Sequence, residues 1–254
     1  MARELVWSDD PTPRKRRMRL LVLGPPKIGK SVAVVGTCPQ PSYVINCDQD
    51  DSLDHVVEHH PNARFAQAAE PVHTTDAMEH ALFTAKKLVR EGKIKTVILD
   101  TLSGFSKFLI KEAEEQNPDG RKYYPFYTNY IVNVCSRICE IPAHVIVTSH
   151  YIETSSEESA ESARTGPGLV PLLETKGAKA RVGGEFSDVV FFEYSRKRGR
   201  LFVTDMQGVW GPGCRNIHGK KVDTSYKANV RTLMRAMGML KPKVMNGASD
   251  LEGT

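Results

Sequence analysis

The chain has 254 residues and a formal net charge of +5, with 40% hydrophobic and 26% charged residues. This composition is typical of a folded globular protein and argues against a disordered one, and the excess of positive charge is compatible with a polyanionic partner. No apolar run approaches the ~20 residues of a membrane-spanning helix, and no apolar signal-peptide core precedes the basic run Arg14–Arg19, so we expect a cytoplasmic protein without a membrane partner.

Residues 1–18 form a polar lead that ends in this basic run, which either contacts phosphates or is simply solvated. From Leu20 onward, short β-branched runs alternate with helical patterns, and the runs are almost continuously apolar, as in strands that helices cover on both faces. This alternation predicts an α/β fold with a mostly parallel, twisted sheet and helices on both faces. The strand candidates are residues 18–24, 42–47, 95–100, 143–149, 187–194 and 200–205.

Helical patterns and irregular segments fill the intervals. Residues 74–92 predict a helix, with Asp76 and Glu79 at capping-box spacing. Five aromatic residues and two cations surround Pro and Gly in 117–130, whereas 153–168 is polar and predicts a mobile loop. An amphipathic helix is predicted over 224–240, followed by a flexible tail over 241–254.

A phosphate-binding motif follows the first strand candidate. Residues 24–31, GPPKIGKS, fit the pattern G-x4-G-K-[ST], and a helix-compatible segment comes next. Gly29 lets the backbone approach a phosphate closely, Lys30 adds a charge for the β and γ phosphates, and the Ser31 hydroxyl is a Mg²⁺ ligand. The sequence therefore predicts a site for ATP, or a related nucleotide, and Mg²⁺. Its binding residues are Gly24, Pro25, Pro26, Lys27, Ile28, Gly29, Lys30, Ser31 and Val32.

Two later strand candidates are followed by carboxylates. KTVILD ends on Asp100, at a suitable distance after the P-loop for the acid that organises Mg²⁺. SYVINC is followed by Asp48, which we favour as the carboxylate that orients the attacking water, with Asp50 and Asp51 as competing candidates. Because the carboxyl ends of parallel strands meet at one edge of a sheet, these acids are expected near the phosphates.

A third strand candidate, AHVIVTS, leads into a polar end at residues 148–150, Thr-Ser-His. A polar side chain at this position is suited to detecting the γ-phosphate and relaying its loss to the loop that follows. A solvated histidine at a strand end is the alternative interpretation.

The order of these features resembles the core of AAA/RecA-type ATPases. More narrowly, the segments VINCDQDDSLD, VIVTSHY and GLVPLLETKGAKARVGGEFSDVVFFEY are similar to segments of phage RecA-like ATPases, a group that includes RecA-like single-strand annealing proteins. The resemblance spans residues 20 to about 206, and only the P-loop is specific by itself. It implies a RecA-like P-loop NTPase fold, with one ATPase domain over residues 19–240.

Carried onto this chain, the resemblance implies that Asp48 is the catalytic carboxylate, that Asp100 holds Mg²⁺ together with Ser31, and that His150 senses the γ-phosphate. The chain departs from the family pattern in two places, because Asp48 is shorter than the usual Glu and Asn46 stands where an Asp is common. The implied catalytic residues are Lys30, Asp48, Asp100 and His150.

In RecA-like proteins, two loops line the path of the DNA, and the matching positions here are 117–127 and 152–168. The first offers cations for phosphates and aromatic rings for stacking, although the aromatic cluster is equally consistent with core packing. The second is acidic, which argues against tight DNA contact there. The predicted DNA-binding residues are Arg121, Lys122, Tyr123, Tyr124 and Phe126.

We therefore expect an ATPase, stimulated by single-stranded DNA, that promotes annealing or recombination and self-associates into a ring or filament. If it is encoded by a phage, it acts in the cytoplasm of a bacterial host, with a single-strand-binding protein as a further partner. The turn RKRGR at 196–200 either reaches a neighbour's ATP or is solvated. A helicase- or packaging-type motor and a regulatory module with little turnover stay open as alternatives.

Overall fold

The structure is a computed structural model that describes residues 17–48, 53–154, 168–204 and 225–240. Several predicted features lie outside these residues. They are most of the basic lead, the competing acids Asp50 and Asp51, nearly all of the predicted mobile loop, and the predicted tail at 241–254.

Ten strands and seven α-helices are formed by the described residues. The strands are β1 Arg19–Leu23, β2 Ser42–Asn46, β3 Phe65–Gln67, β4 Thr96–Asp100, β5 His144–Ser149, β6 Tyr151–Thr154, β7 Gly168–Pro171, β8 Asp188–Ser195, β9 Gly199–Val203 and β10 Ser225–Lys227. The helices are α1 Lys30–Thr37, α2 Asp54–His59, α3 Thr75–Arg90, α4 Leu102–Gln116, α5 Gly120–Cys139, α6 Lys176–Val182 and α7 Val230–Ala236. All six strand candidates are confirmed, while β3, β6, β7 and β10 were not predicted.

Eight of the strands form one sheet in the order β10-β9-β8-β1-β5-β4-β2-β3. The strands from β8 to β3 in this order run parallel, whereas β9 and β10 add an antiparallel edge. The strand β5 lies between β1, which leads into the P-loop, and β4, which ends on Asp100. The predicted mostly parallel sheet is thereby confirmed.

Helices cover both faces of this sheet because its strands are apolar on both sides. In β1, Leu21 and Leu23 pack into one core together with residues of α3, α4 and α5. Leu20 and Val22 point to the other face and pack with residues of α1, α2 and α7. None of the described helices has both the length and the apolar composition needed to cross a lipid bilayer.

The prediction of a loop over 117–127 is wrong, because α4 extends to Gln116 and α5 starts at Gly120. The Asp119 side chain accepts a hydrogen bond from the Arg121 N–H at 3.0 Å and thereby caps α5. From Tyr127 onward, buried residues recur at helical spacing, which fixes the helix against the core although Pro125 lies within it.

The prediction of a single helix over 224–240 is also wrong for the first half of that segment. Residues 225–227 form β10, which pairs with β9 and extends the sheet. The Asn229 side chain then accepts a hydrogen bond from the Thr232 N–H at 3.1 Å, so the helix begins only at Val230.

The helix predicted over 74–92 is confirmed as α3, but its cap differs from the prediction. The Thr74 side chain, rather than Asp76, accepts the capping hydrogen bond from the Ala77 N–H. Glu79 does not close a capping box, because its carboxylate binds Arg137 of α5 and accepts a hydrogen bond from Tyr130. This charged pair therefore joins α3 to α5.

Candidate nucleotide-binding site

The predicted strand and helix are confirmed, and the predicted phosphate loop runs from the end of β1 to the start of α1 at Lys30. Gly29 is the N-cap of α1 and has φ = 88°, in the left-handed region that favours glycine. Gly24 lies so close to β8 that a Cβ on it would be 2.9 Å from the Phe192 carbonyl oxygen. Both glycines of the motif are therefore required by the backbone.

Lys30, the first residue of α1, is buried beside this loop, with only 5% of its surface exposed. Its ammonium donates hydrogen bonds to the carbonyl oxygens of Gly24 at 3.1 Å and Pro25 at 2.6 Å. Burial lowers its pKa to about 8, while Asp100 and Asp48 act in the opposite direction. The loop thus holds a poorly solvated cation, which a phosphate would stabilise.

Asp100 ends β4 and is fully buried below the loop. The Thr148 hydroxyl donates to its Oδ1 at 2.5 Å, while no described residue makes a hydrogen bond of standard geometry to its Oδ2. Burial raises the pKa of Asp100, and the hydroxyls of Thr148 and Ser31 oppose this shift. A buried carboxylate oxygen that receives no hydrogen bond of standard geometry from the described residues, close to Ser31, fits the binding of Mg²⁺ by Asp100 and Ser31.

Asp48 follows β2 by two residues, and two contacts fix its position. The Asn46 side chain accepts a hydrogen bond from the Asp48 N–H at 3.1 Å, and the Thr101 hydroxyl donates to Asp48 Oδ1 at 2.9 Å. A side chain at Gly104 would collide with the Asp48 carboxylate, so a glycine there lets α4 approach it. Asn46 therefore positions the acid that follows it.

His150 follows β5, is half-buried and lines the same cleft as Lys30 and Asp48. Its backbone N–H donates to the Ser103 hydroxyl of α4 at 3.0 Å. Burial lowers the pKa of His150, and the nearby charges of Lys30 and Lys107 lower it further. The imidazole is therefore neutral at pH 7, which suits a hydrogen-bond donor to phosphate.

Lys30, Asp48 and His150 line one cleft of about 790 Å³, a volume typical of sites for cofactor-sized ligands. Among its described lining, the cations outnumber the carboxylates, which favours an anionic ligand. Gly24, Pro25 and Ile28 of the predicted binding residues do not line the cleft. Those that do are Pro26, Lys27, Gly29, Lys30, Ser31 and Val32.

Sequence reasoning missed the wall of the cleft that α4 provides. Thr101 caps this helix, and Lys107 and Lys111 lie one turn apart on it beside Phe108. The signal was present in the sequence, because the two lysines have i, i+4 spacing in the segment directly after Asp100. They add two positive charges to the side of the cleft that faces Asp48 and His150.

One arginine of the turn at 196–200 contacts the P-loop of its own chain. A Cβ on Gly29 would lie 2.9 Å from Cζ of Arg200, at the start of β9. Arg196 and Lys197, at the tip of the β8–β9 turn, are exposed. Arg198 and Arg200 are exposed as well, so the turn is solvated although the Arg200 guanidinium lies beside Gly29.

The five residues predicted to bind DNA lie in the first turns of α5 and do not line the nucleotide cleft. Tyr124 and Phe126 are 48% and 41% exposed, whereas Tyr127 is fully buried. Tyr123 packs against Tyr124, with ring centroids 4.3 Å apart. The aromatic cluster thus divides between core and surface, and Arg121 and Lys122 are on the exposed side.

We expect Gly29→Ala to destabilise the protein by about as much as Gly92→Ala does. Both glycines have positive φ, which costs alanine about 1–2 kcal/mol. At Gly29 the new methyl group would also meet Arg200, but only the guanidinium end of that exposed, flexible side chain, which can move aside. In urea unfolding, Arg200→Ala should therefore change the cost of Gly29→Ala very little. A cost that falls clearly in the Arg200→Ala background would contradict this expectation.

Among the comparisons with known proteins, one identifies a family. Curated protein sequences gave no match to the chain. Among solved structures, the chain is similar to a KaiC-like protein of the hyperthermophilic archaeon Pyrococcus horikoshii OT3. The match covers 72% of this chain and 76% of that one at 10% identity, and its TM-score is 0.35. This likeness is too weak to inform function. A family model described as an AAA domain matches residues 16–229. The chain therefore belongs to the AAA-domain family, and its P-loop between β1 and α1 and its mostly parallel sheet are those of a P-loop NTPase fold.

Proposed function

We propose that the protein hydrolyses ATP and that this activity is coupled to single-stranded DNA, which it anneals or recombines. The observation that supports hydrolysis is the meeting of Lys30, Asp48 and His150 in one cleft above the buried Asp100. A P-loop that only bound nucleotide would not require an oriented carboxylate on the γ-phosphate side of the site.

Each of these residues has a distinct part in the proposed reaction. Lys30 leaves the loop carbonyls and binds the β and γ phosphates. Asp48, oriented by Thr101, accepts a hydrogen bond from the attacking water and directs its lone pair at phosphorus. Ser31 and Asp100 would hold Mg²⁺, which neutralises phosphate charge when bound.

The DNA part of the proposal depends on the exposed start of α5. Arg121 and Lys122 offer charges for phosphates, and the exposed rings of Tyr124 and Phe126 offer stacking faces for bases. Exposed aromatic rings beside cations favour a nucleic-acid-binding surface over a purely structural helix. A regulatory module with little turnover has no need for such a surface.

Self-association into a ring or filament is part of the same proposal. Arg196 and Lys197 are exposed at the β8–β9 turn, whose β9 end contacts the P-loop through Arg200. From this place the two cations are suited to contacting a nucleotide bound between two copies of the chain.

The test compares ATP turnover of the full chain with and without a dT30 oligonucleotide. We expect the oligonucleotide to raise turnover several-fold and to be retarded in a native gel. Arg121→Gln/Lys122→Gln should bring the ratio of stimulated to basal turnover close to one, because it removes two phosphate contacts. The matched control is Lys86→Gln/Lys87→Gln on α3, which removes the same charge from residues that do not line the cleft.

The outcomes separate the parts of the proposal. Equal turnover with and without oligonucleotide, together with no retardation in the gel, would overturn the DNA-coupled function and leave a P-loop ATPase. Loss of stimulation in both double variants would show a general effect of charge and would contradict a specific role of α5.

A further inference from the structure

A second large cleft lies at the amino ends of the same parallel strands, opposite the nucleotide cleft. It has a volume of about 700 Å³ and is formed where the chain enters the central strands. Arg17 precedes β1, Lys95 precedes β4 and His144 begins β5, while Gln40 comes from the connection between α1 and β2. Because the nucleotide cleft lies at the carboxyl ends of these strands, the two clefts are separate sites.

This second cleft is strongly basic. Arg17, Lys95, Arg231 and Arg235 line it, and no Asp or Glu occurs among its described lining residues. None of these four cations forms an ion pair with a described residue. Four positive charges without an ion pair among the described residues repel one another around one concave surface, so an anionic ligand would stabilise the site.

The two arginines of α7 strengthen this argument. Arg231 and Arg235 are one helical turn apart, and like charges at this spacing destabilise a helix. The same helix buries Val230, Leu233 and Met234 on its other side, so both arginines face away from the core. Packing therefore explains the apolar face of α7 but not its pair of cations.

His144 adds a hydrogen-bond donor to the lining of the cleft. Its Nδ1 accepts a hydrogen bond from the Met18 N–H at 3.2 Å, which leaves the proton of the neutral ring on Nε2. Burial lowers the pKa of His144, and the charges of Arg19 and Arg17 lower it further. A neutral imidazole N–H beside cations adds a donor and no competing negative charge.

We propose that this cleft binds the sugar–phosphate backbone of a single-stranded nucleic acid. Three of its four cations are arginines, whose planar guanidinium matches phosphate in two hydrogen bonds. The described lining contains no aromatic ring other than His144, so it favours contacts with the backbone over base stacking, and recognition should not depend on base sequence.

The neighbouring sequence favours a polymer over a small anion. Arg14, Lys15 and Arg16 directly precede Arg17, so the positive charge of the cleft continues along the chain. A phosphate ion would neutralise only part of this charge, whereas a strand carries a charge at every nucleotide. The inference uses the proposed function only to identify the nucleic acid as DNA.

The test measures fluorescence anisotropy of a fluorescein-labelled dT30 oligonucleotide titrated with the full chain. We expect Arg231→Gln/Arg235→Gln to raise the Kd at least tenfold and to reduce the slope of log K against log salt by about 1.4, since each phosphate contact contributes about 0.7 for single strands. Lys86→Gln/Lys87→Gln, in which neither residue lines either cleft, should change the Kd less than twofold.

A second variant guards against misfolding of α7. Lys95→Gln changes a different element of the cleft and should reduce the salt slope by about 0.7. Thermal unfolding confirms that each variant is folded. If both cleft variants bind the oligonucleotide as the Lys86/Lys87 control does, the proposed site is wrong, even where ATP turnover is still stimulated by DNA.

Two further outcomes keep the proposals distinct. The cleft variants could bind the oligonucleotide more weakly although DNA does not change the ATP turnover of the protein. This result would support the proposed site and overturn the proposed function. A competition experiment compares poly-L-glutamate with unlabelled dT30 as displacers of the labelled oligonucleotide. If the two are equally efficient per charge, the cleft is assigned to an acidic protein segment, and its assignment to nucleic acid is overturned.

Discussion

Lys30→Ala is expected to lower the turnover of ATP by at least about 100-fold without unfolding the protein. The ammonium is buried beside the phosphate loop, and among the described residues it donates hydrogen bonds only to two carbonyl oxygens, so its loss removes the charge placed for the phosphates. The protein should stay folded because the variant removes a desolvated charge rather than an ion pair. Steady-state turnover and thermal unfolding test the two halves of this expectation.

The pH dependence of nucleotide binding provides a second readout of the same residue. With a pKa of about 8, Lys30 is charged in the free protein below that pH and loses its proton above it. Bound phosphate stabilises the charged form and raises the pKa, so nucleotide affinity should be constant below pH 8 and should weaken above it. Lys30→Ala should lack this decline. A decline of equal size in the variant would assign it to another group.

Asp48→Asn is expected to lower turnover by about 100- to 1000-fold while changing nucleotide affinity by less than about threefold. The amide keeps the shape of the carboxylate but is a much weaker base, and a positioned general base contributes 10²–10⁴ to the rate. Single-turnover hydrolysis and titration with a fluorescent ATP analogue measure the two quantities separately. Unchanged turnover would move the role to Asp50 or Asp51.

Thr101→Val is the matched variant for this prediction. It leaves the Asp48 carboxylate in place but removes the hydroxyl that donates to it at 2.9 Å. The expected loss of turnover is smaller, about tenfold, because a correctly charged but less well oriented base remains. Thr101 also accepts the capping hydrogen bond of α4, so thermal unfolding must show how much of the loss comes from the helix.

Much of the fold and the centre of the site could be predicted from sequence for one reason. The central strands are almost wholly apolar, and in a parallel sheet their carboxyl ends share an edge. The polar residues Asp48, Asp100 and His150, at the ends of three such runs, were therefore expected beside the P-loop, and the structure brings them there.

The failed predictions have a different cause. Gly120 and Pro125 are residues that break helices in isolation, yet α5 contains both, because Asp119 caps it and its buried face packs on the core. Likewise, β10 occupies the start of a segment whose apolar spacing predicts a helix, since an antiparallel edge was available beside β9. Tertiary packing overrode local preference in both places.

The parts of the two clefts that could not be predicted depend on contacts between segments that are far apart in the sequence. Arg200 reaches Gly29 only because the β8–β9 hairpin packs beside the P-loop. The basic cleft combines single residues from segments as far apart as Arg17 and Arg235, with no local motif. Sequence spacing carries no signal for such a cluster, and only the topology of the sheet brings its members together.

The shortness of the central strands has a consequence for how ligands at the two clefts would influence each other. His144 and His150 lie at opposite ends of β5, six residues apart, which corresponds to roughly 20 Å. Ligands at the two ends would not exclude each other, so their kinetics should be noncompetitive. Any change in affinity that one causes in the other must then be reciprocal and equal in free energy.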